Sequence, residues 1–288
     1  RSSFTSSNYQ TISTFTAYPY GYENSIACDS SNVYIAFSEG GAVAFTYAPK
    51  AASMNFPDPV CVDSNNGIPP HDDGNRKRTS LYIDTGGYVN IVFFDDTNDL
   101  LRHAHFLPSD PLPFAVPAIY HLPGPAYVTA ANYPAIGSIE GSLRLIGYYD
   151  TTNKSLNFLE KFAFGKPPSM MLYYTNVMRV IDDSSSDVGR CAKMLYVNYI
   201  AYIAYYDYAN KQVKFARGVK IPWNPDPDTA PYYAFTTTVI DTVGAATLSM
   251  DCSLAASADG QTVYILYYDS SGSGALKLAK SIDGGVSW

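Results

Sequence analysis

Charged side chains are scarce in this 288-residue sequence: Lys, Arg, Asp and Glu together make up 16% of it, against about a quarter in an ordinary soluble domain. The solvent-facing surface must therefore consist largely of Ser, Thr, Asn, Tyr and Gly. Because such surfaces are commoner in secreted proteins, we expect an extracellular or periplasmic location. The net charge is −7 and the pI about 5.0, which argues against nucleic acid and anionic membranes as partners, since both require a basic surface.

Long apolar runs, cysteine motifs and ion-binding loops are also missing. No stretch of 18 apolar residues indicates a membrane span. No signal peptide or initiating Met is present, so Arg1 indicates a processed chain or a domain excised from a larger one. The four cysteines form no C-x-x-C pair, which excludes zinc-ribbon and thioredoxin-type sites. No calcium-loop pattern occurs, and we expect neither a cofactor nor a metal.

Helical periodicity is absent, whereas a strand pattern recurs along the chain. In each copy an apolar strand ends in two aromatic residues and an acid, a polar turn follows, and a second strand alternates apolar and polar residues. The acid positions of the four clear copies are Asp95, Asp150, Asp207 and Asp269. A degenerate fifth copy has Ser38 at this position.

The spacing of these copies predicts five units in a closed circular array. From 38 to 95, 150, 207 and 269 the intervals are 57, 55, 57 and 62 residues. Residue 269 lies 19 residues before the end, and 19 plus 38 again gives 57. An open solenoid has no reason to satisfy this, so the sequence predicts an all-β fold, a five-bladed β-propeller with four antiparallel strands, A to D, in each blade.

The blade boundaries follow from the same pattern. After strand C of the last unit the chain ends without a strand D, whereas Tyr9–Phe15 is a surplus strand that matches the strand D pattern of Thr236–Ile240. Because an unpaired edge strand is a liability, we expect the N-terminal segment to complete the last blade. The predicted segments are a closing strand for blade 5 in 1–20, blade 1 in 21–66, blade 2 in 67–123, blade 3 in 124–183, blade 4 in 184–242 and blade 5 in 243–288.

The last eight residues carry the pattern S-x-D-x-G-x-x-W, with Ser281, Asp283, Gly285 and Trp288 at its defining positions. This segment resembles the Asp box of sialidase-type (BNR) β-propellers, which lies between strands C and D. The resemblance implies a structural role, in which the Asp holds backbone amides of the turn and the Trp packs between sheets. The aromatic–aromatic–acid repeat also resembles uncharacterised secreted bacterial propellers. The eight arginines are scattered and match no sialidase arginine triad.

The repeated acids and aromatic pairs are predicted to be structural. An acid at the turn between strands B and C can accept amide hydrogens in every blade, and aromatic residues on alternate faces of strand B can pack between neighbouring blades. A ring of metal or sugar ligands is the alternative for the acids.

The candidate binding residues lie on the variable loops that join strand D of one blade to strand A of the next. Exposed tyrosines and acids beside an axial pocket suit carbohydrate, because aromatic faces stack on sugar C–H groups and acids accept from hydroxyls. The candidate ligand-binding residues are His71, Asp72, Asp73, Arg76, Arg78, Tyr127, Tyr133, Asp187, Arg190, Tyr20 and Tyr22. A metal site formed by His71, Asp72 and Asp73 is the least favoured alternative for these three residues.

Three functions remain open from the sequence. The first is a secreted or surface propeller that binds a glycan or another surface ligand, with no catalytic residues assigned. The second is a five-bladed glycosidase, which needs two or three carboxylates near the axis; the acids near the ends of strand A are Asp29, Asp84, Glu140 and Asp251. The third is a structural domain of a larger surface protein.

Two cysteines occupy equivalent places in neighbouring units. Cys191 lies 16 residues before Asp207, and Cys252 lies 17 residues before Asp269. Both therefore fall just before strand A, and neighbouring A strands flank the axis of a propeller. The pair is a candidate for a disulfide between blades 4 and 5.

Overall fold

The structure, a computed structural model, describes residues 22–39, 42–51, 54–62, 79–95, 100–110, 131–138, 144–166, 171–221, 233–244 and 252–288. These residues form β-strands, turns and loops. None of them belongs to a helix with the length and apolar character needed to cross a membrane. The chain divides into two compact units, Arg1–Ala118 and Ile119–Trp288.

The first unit contains two antiparallel sheets whose strands follow one another in sequence order. Blade 1 consists of β1 (Tyr22–Cys28), β2 (Asn32–Glu39), β3 (Ala42–Pro49) and β4 (Val60–Cys61). The described strands of blade 2 are β5 (Thr79–Ile83), β6 (Val89–Asp95) and β7 (Leu100–Phe106).

The second unit contains three further antiparallel sheets with the same strand order. Blade 3 consists of β8 (Ala131–Ser138), β9 (Arg144–Asp150), β10 (Ser155–Lys166) and β11 (Met171–Asp182). Blade 4 consists of β12 (Val188–Val197), β13 (Ile200–Asp207), β14 (Gln212–Lys220) and β15 (Tyr233–Thr242). The described strands of blade 5 are β16 (Cys252–Ala256), β17 (Val263–Asp269) and β18 (Ala275–Ser281).

Five sheets of three or four sequential antiparallel strands are the blades of a five-bladed β-propeller, so the fold class predicted from the repeat spacing is confirmed. Each sequence repeat corresponds to strands B and C of one blade. The predicted closing strand around Tyr9–Phe15 lies outside the described residues.

Period-2 alternation within each strand B produces two packing faces. In β13, Ala201, Ile203 and Tyr205 pack in a core shared with blade 3. The intervening residues Tyr202, Ala204 and Tyr206 pack in a second core, shared with blade 5. The first aromatic residue of the repeat thus faces the preceding blade and the second faces the next one. A third core joins blades 1 and 2 around Phe45, Ile91 and Phe93.

The repeated acids are bound within their own hairpins. Asp150 Oδ1 accepts from the amides of Thr152 and Asn153, at 2.8 and 2.9 Å. Each acid also pairs with a polar side chain seven or eight residues later on strand C. These pairs are Asp95 with Arg102, Asp150 with Asn157, Asp207 with Lys214, and Asp269 with Lys277. The bonds from the turn amides to Asp150 are those expected from the predicted turn-capping role of the repeated acids.

Blades 3 and 4 are further joined by an ionic cluster that sequence reasoning missed. Asp182, the last residue of β11, lies with its Oδ2 2.5 Å from Lys214 Nζ and accepts a 2.6 Å hydrogen bond from Tyr205. The same arrangement recurs between blades 4 and 5. There Asp241 Oδ2 accepts from Lys277 and Tyr267, both at 2.8 Å. We call these two clusters the 182 latch (Asp182, Tyr205, Asp207, Lys214) and the 241 latch (Asp241, Tyr267, Asp269, Lys277).

The segment after β18 forms a compact turn around Asp283. Its Oδ1 accepts from the amides of Val286 and Ser287, at 3.0 and 2.9 Å, and from the hydroxyl of Ser281 at 2.7 Å. These bonds lower the pKa of Asp283, with the Ser287 hydroxyl the largest cause. The ring of Trp288 meets Phe215 of blade 4 edge-on, with 4.8 Å between centroids. The Asp283 carboxylate thus holds the amides of the turn, and the Trp288 ring packs against blade 4.

Candidate functional site

A candidate site lies where blade 3 meets the start of blade 4, at the end of the blades that carries the D–A and B–C loops; we call this the D–A end. Strand A of both blades is irregular here. The pairing register of β8 with β9 shifts between Asn132 and Ala135, and that of β12 with β13 shifts on both sides of Arg190. Tyr133 and Cys191 have φ angles of 49° and 58° within these irregularities. Non-glycine residues rarely adopt positive φ, and such bulges commonly re-aim side chains next to functional sites.

The loop before β12 is clamped between two hairpins. The carbonyl of Asp187 accepts from the amides of Tyr208 and Ala209, and the amide of Val188 donates to the carbonyl of Lys154. Gly189 has a φ of 112°, and a Cβ at this position would lie 2.7 Å from the backbone of Leu156. Only glycine allows so close an approach. Asp187, at the end of this loop, and Arg190, near the start of β12, therefore lie on a firmly held backbone.

Arg190 and Asp187 form a two-pronged ion pair. Arg190 Nε donates to Asp187 Oδ1 at 2.8 Å, and an Nη2 hydrogen goes to Oδ2 at 2.6 Å. The hydroxyl of Tyr149, the second aromatic residue of the blade 3 repeat, donates to Asp187 Oδ1 at 2.8 Å. Three hydrogen bonds to its oxygens therefore fix the orientation of the Asp187 carboxylate.

The electrostatics of the cluster follow from these bonds. Burial, reinforced by the hydrogen bond to Asp187, raises the pKa of Tyr149 to about 12, so its hydroxyl stays protonated. Burial opposes the charge of Arg190, but the bonds to Asp187 outweigh it and raise the Arg190 pKa. The opposite charges of Asp187 and Arg190 cancel, so the pair carries no net charge.

Aromatic rings surround the guanidinium group. Its carbon lies 4.4 Å from the ring centroid of Tyr208 and 5.5 Å from that of Tyr149. The Tyr133 ring meets Tyr149 edge-on at 6.1 Å. The Arg190 side chain remains 26% exposed, whereas Tyr149 is only 4% exposed. This cluster, the Arg190 site (Tyr133, Tyr149, Asp187, Arg190, Tyr208), therefore meets solvent at the guanidinium group and at the partly exposed residues Tyr133 and Tyr208.

The structure brings together three of the residues singled out from the sequence: Tyr133, Asp187 and Arg190. Tyr133 and Arg190 lie in strands β8 and β12 rather than on loops, because strand A starts earlier than predicted, and Tyr22 likewise lies in β1. Seven of the other candidates lie outside the described residues: Tyr20, His71, Asp72, Asp73, Arg76, Arg78 and Tyr127.

Tyr149 and Tyr208 complete the site, and the sequence pattern did not mark either as a binding residue. The sequence repeat predicts core packing for Tyr149. Its position as the second aromatic residue of the repeat could have identified it as a residue of the site. The second aromatic residue faces the next blade and ends at the D–A end.

Two of the four candidate acids of the glycosidase hypothesis serve as turn caps. Asp29 Oδ1 accepts from the amides of Ser31 and Asn32, both at 2.7 Å, and Asp84 Oδ1 accepts from Gly86 and Tyr88. Both acids follow strand A and so lie at the end of their own blades that is opposite the D–A end. Glu140 and Asp251 fall outside the described residues.

No group of three or more His, Cys, Asp and Glu residues is arranged to hold a metal ion in the part of the chain that the structure describes. Cys191 and Cys252, the candidates for a disulfide between blades 4 and 5, are both buried. Cys252 Sγ contacts the backbone carbonyl of Cys191 at 3.2 Å, a contact that places the two residues side by side.

Comparison with known proteins yields structural similarity alone. No protein-family model matches the chain, and no curated protein is significantly similar to it. Among solved structures, the NanB sialidase from Streptococcus pneumoniae is 10% identical with a TM-score of 0.49, and a thermostable family-43 glycoside hydrolase is 10% identical with a TM-score of 0.48. An exo-β-1,3-galactanase from Clostridium thermocellum is 10% identical with a TM-score of 0.49.

These matches differ in how much of each protein they cover. The alignment with the sialidase spans 84% of this chain and 35% of the sialidase. The alignment with the galactanase spans 92% of this chain and 64% of that enzyme, and with the family-43 enzyme the shares are 91% and 89%. With TM-scores below 0.5, none of them carries an argument about what this chain does.

Proposed function

We propose that the chain is a secreted carbohydrate-binding propeller, located outside the cell or in the periplasm, whose Arg190 site contacts the ligand. The observation that carries the proposal is the partly exposed set of Tyr133, Arg190 and Tyr208, held in place by the buried Asp187 and Tyr149. Sugars are bound by aromatic faces together with fixed planar donors and acceptors.

The charge and rigidity of the site favour a neutral, hydroxyl-rich ligand. Because Asp187 and Arg190 neutralise each other, the pair offers no net charge to attract an ion. The guanidinium group has five N–H donors in a fixed fork, and the bonds to Asp187 hold that fork in place. A preorganised donor set reduces the entropy lost when a sugar binds.

The acids support binding over hydrolysis. Asp187 is held by Arg190 and Tyr149, and the repeated acids of blades 2 to 5 are bound to turn amides or to strand C side chains. These carboxylates act as structural acceptors. A glycosidase would have to draw its acid and base from residues such as Glu140 and Asp251.

A glycan array with the wild-type chain and two arginine variants tests the proposal. Arg190→Ala is expected to weaken binding of any glycan recognised by the wild type at least about tenfold, since a charged hydrogen bond contributes about 1.5–3 kcal/mol. The matched control is Arg217→Ala in the same blade, whose Nε donates to the carbonyl of Gly284 at the opposite end. Circular dichroism spectra show whether each variant is folded.

Two results would overturn the proposal. A folded wild-type chain that binds no glycan on the array would remove the carbohydrate assignment. Equal binding by wild type and Arg190→Ala would remove the site. Release of free sugar from a bound glycan, followed by mass spectrometry, would establish the glycosidase instead.

A further inference from the structure

Cys191 and Cys252 lie next to each other at the boundary between blades 4 and 5. In β16, Cys252 and Leu254 belong to the core shared with blade 4. In β12, Ala192 and Met194 face blade 3, whereas Leu195 and Val197 face blade 5. Cys191 lies in the bulge that precedes these residues, and its backbone carbonyl is contacted by the Cys252 thiol.

The contacts of both side chains agree with this placement. Cys252 Sγ lies 3.2 Å from the carbonyl oxygen of Cys191 and 3.8 Å from that of Ala204. Tyr206 lies in the same core as Cys252. Burial raises the pKa of Tyr206, with Asp269 and the Cys191 thiol adding smaller electrostatic contributions. Both thiols therefore border one side chain, in a site where each cysteine is only 5% exposed.

The backbone of Cys191 supplies a second, independent observation. Its φ of 58° is in the left-handed region, which is unfavourable for a residue with a side chain. The bulge also makes Cys191 and Ala192 consecutively buried. The bulge therefore buries the Cys191 thiol at the strand that borders Cys252.

We propose that Cys191 and Cys252 are a redox pair whose oxidation forms a disulfide between the first strands of blades 4 and 5. A disulfide such as oxidised glutathione serves as the oxidant. One cysteine thiolate attacks a glutathione sulfur and releases one glutathione thiolate, which takes up the proton. The second cysteine thiolate then attacks the protein-bound sulfur, forms the Cys191–Cys252 bond and releases the second glutathione. Two protein thiols are oxidised and one glutathione disulfide is reduced.

The bond would link residues 61 positions apart in sequence (252 minus 191). Closing so long a loop restricts the unfolded chain. We therefore expect the thermal midpoint of the oxidised protein to exceed that of the reduced protein by on the order of 10 °C.

The experiment uses a full-length background with Cys28→Ser and Cys61→Ser, because those two cysteines are exposed and would react separately. The folded protein is incubated with oxidised glutathione, and a second sample is refolded from urea in a glutathione redox buffer. The refolded sample is needed because buried thiols react slowly in the folded state. The expected product has lost two hydrogen atoms by intact mass and contains no titratable thiol and no glutathione adduct.

The single-cysteine controls are Cys191→Ser and Cys252→Ser in the same background. Each should keep one thiol or one glutathione adduct and show no rise in thermal midpoint under oxidising conditions. Retention of both thiols by the two-cysteine protein, in the incubated and in the refolded sample, would overturn the proposal. A disulfide-linked dimer as the main product would do the same.

Discussion

Gly285 shows how much of the turn after β18 depends on a single residue. Its φ is 82°, and a Cβ there would lie 2.6 Å from the ring of Phe215. The amide of Gly285 also donates to the Ser281 hydroxyl at 2.8 Å. The residue therefore combines a left-handed backbone with a close approach to blade 4, and both conditions require the absence of a side chain.

Gly285→Ala should destabilise the fold by about 3 kcal/mol, since the left-handed conformation and the clash with a buried ring both act against it. Gly272→Ala is the matched control. Gly272 has a φ of 58°, but a Cβ added there would have no atom within 4 Å, so the loss should be only about 1 kcal/mol. Urea denaturation measures both. Equal losses would show that Phe215 moves aside without strain.

The latches are the recurring unit at the scale of strands. Each consists of two acids, a lysine and a tyrosine drawn from strand D of one blade and from strands B and C of the next. In the 182 latch the Lys214 and Asp182 side chains are 7% and 3% exposed. In the 241 latch Lys277 and Asp241 are 40% and 27% exposed. The same set of side chains should therefore contribute differently to the stability of the fold in the buried 182 latch and in the more exposed 241 latch.

Lys214→Met should lower the free energy of unfolding by about 3–5 kcal/mol, because it leaves two buried carboxylates without their cation. Lys277→Met removes the equivalent lysine from a cluster in which Lys277 and Asp241 are partly exposed and water screens the Asp241 carboxylate, so its loss should be smaller. Denaturant titration of both variants compares them directly. A loss at Lys277 as large as that at Lys214 would contradict the role of burial.

The latches should also make the fold acid-sensitive. Burial opposes ionisation of Asp182, but hydrogen bonds from Lys214, Ser184 and Tyr205 outweigh it and lower its pKa. The bond from Lys277 lowers the pKa of Asp269. Because the unfolded chain then binds protons more readily than the folded chain, the stabilisation is complete above about pH 4, the pKa of an unfolded Asp, and is lost as pH falls further.

We expect the urea midpoint of the wild-type chain to fall steadily between about pH 4 and pH 2. Asp182→Asn should be less stable at neutral pH yet lose less of its remaining stability over that interval, because the titrating group is gone. Parallel denaturation series at several pH values test this. An identical slope in both proteins would mean that Asp182 contributes nothing to the acid response.

At the scale of the whole molecule, the important feature is the edge strand β18 of the last blade. β18 forms one side of a sheet whose described strands are β16, β17 and β18, whereas blades 1, 3 and 4 have four strands. Leu276 and Leu278 on β18 are 70% and 62% exposed. An exposed apolar strand at a sheet edge promotes association with other chains. That the N-terminal segment supplies strand D of this blade stays a prediction from the sequence.

Deleting residues 1–16 should therefore lower stability or cause oligomerisation. Deleting only residues 1–8, which precede the predicted strand at Tyr9–Phe15, is the control and should change neither property. Light scattering coupled to gel filtration reports the oligomeric state, and urea denaturation reports stability. If the longer deletion stayed monomeric with unchanged stability, the predicted closure of the fold would be wrong.

The sequence by itself determined the fold class, the blade count and the role of the repeated acids. Those features depend on local rules: alternation along a strand, turn chemistry after each acid, and a fixed interval between copies. β13 illustrates this, since Tyr205, Tyr206 and Asp207 could each be assigned to a face or a turn from their order alone.

Only the tertiary structure decided which residues meet. Asp182 and Lys214, Tyr149 and Asp187, and Cys191 and Cys252 come from different blades, and their contacts depend on how sheets pack and where strand A bulges. The irregularities at Tyr133 and Cys191 break the alternation from which the sequence was interpreted. A pattern with period 2 gives the face of each side chain within its own sheet, but not the side chain that faces it from the next sheet.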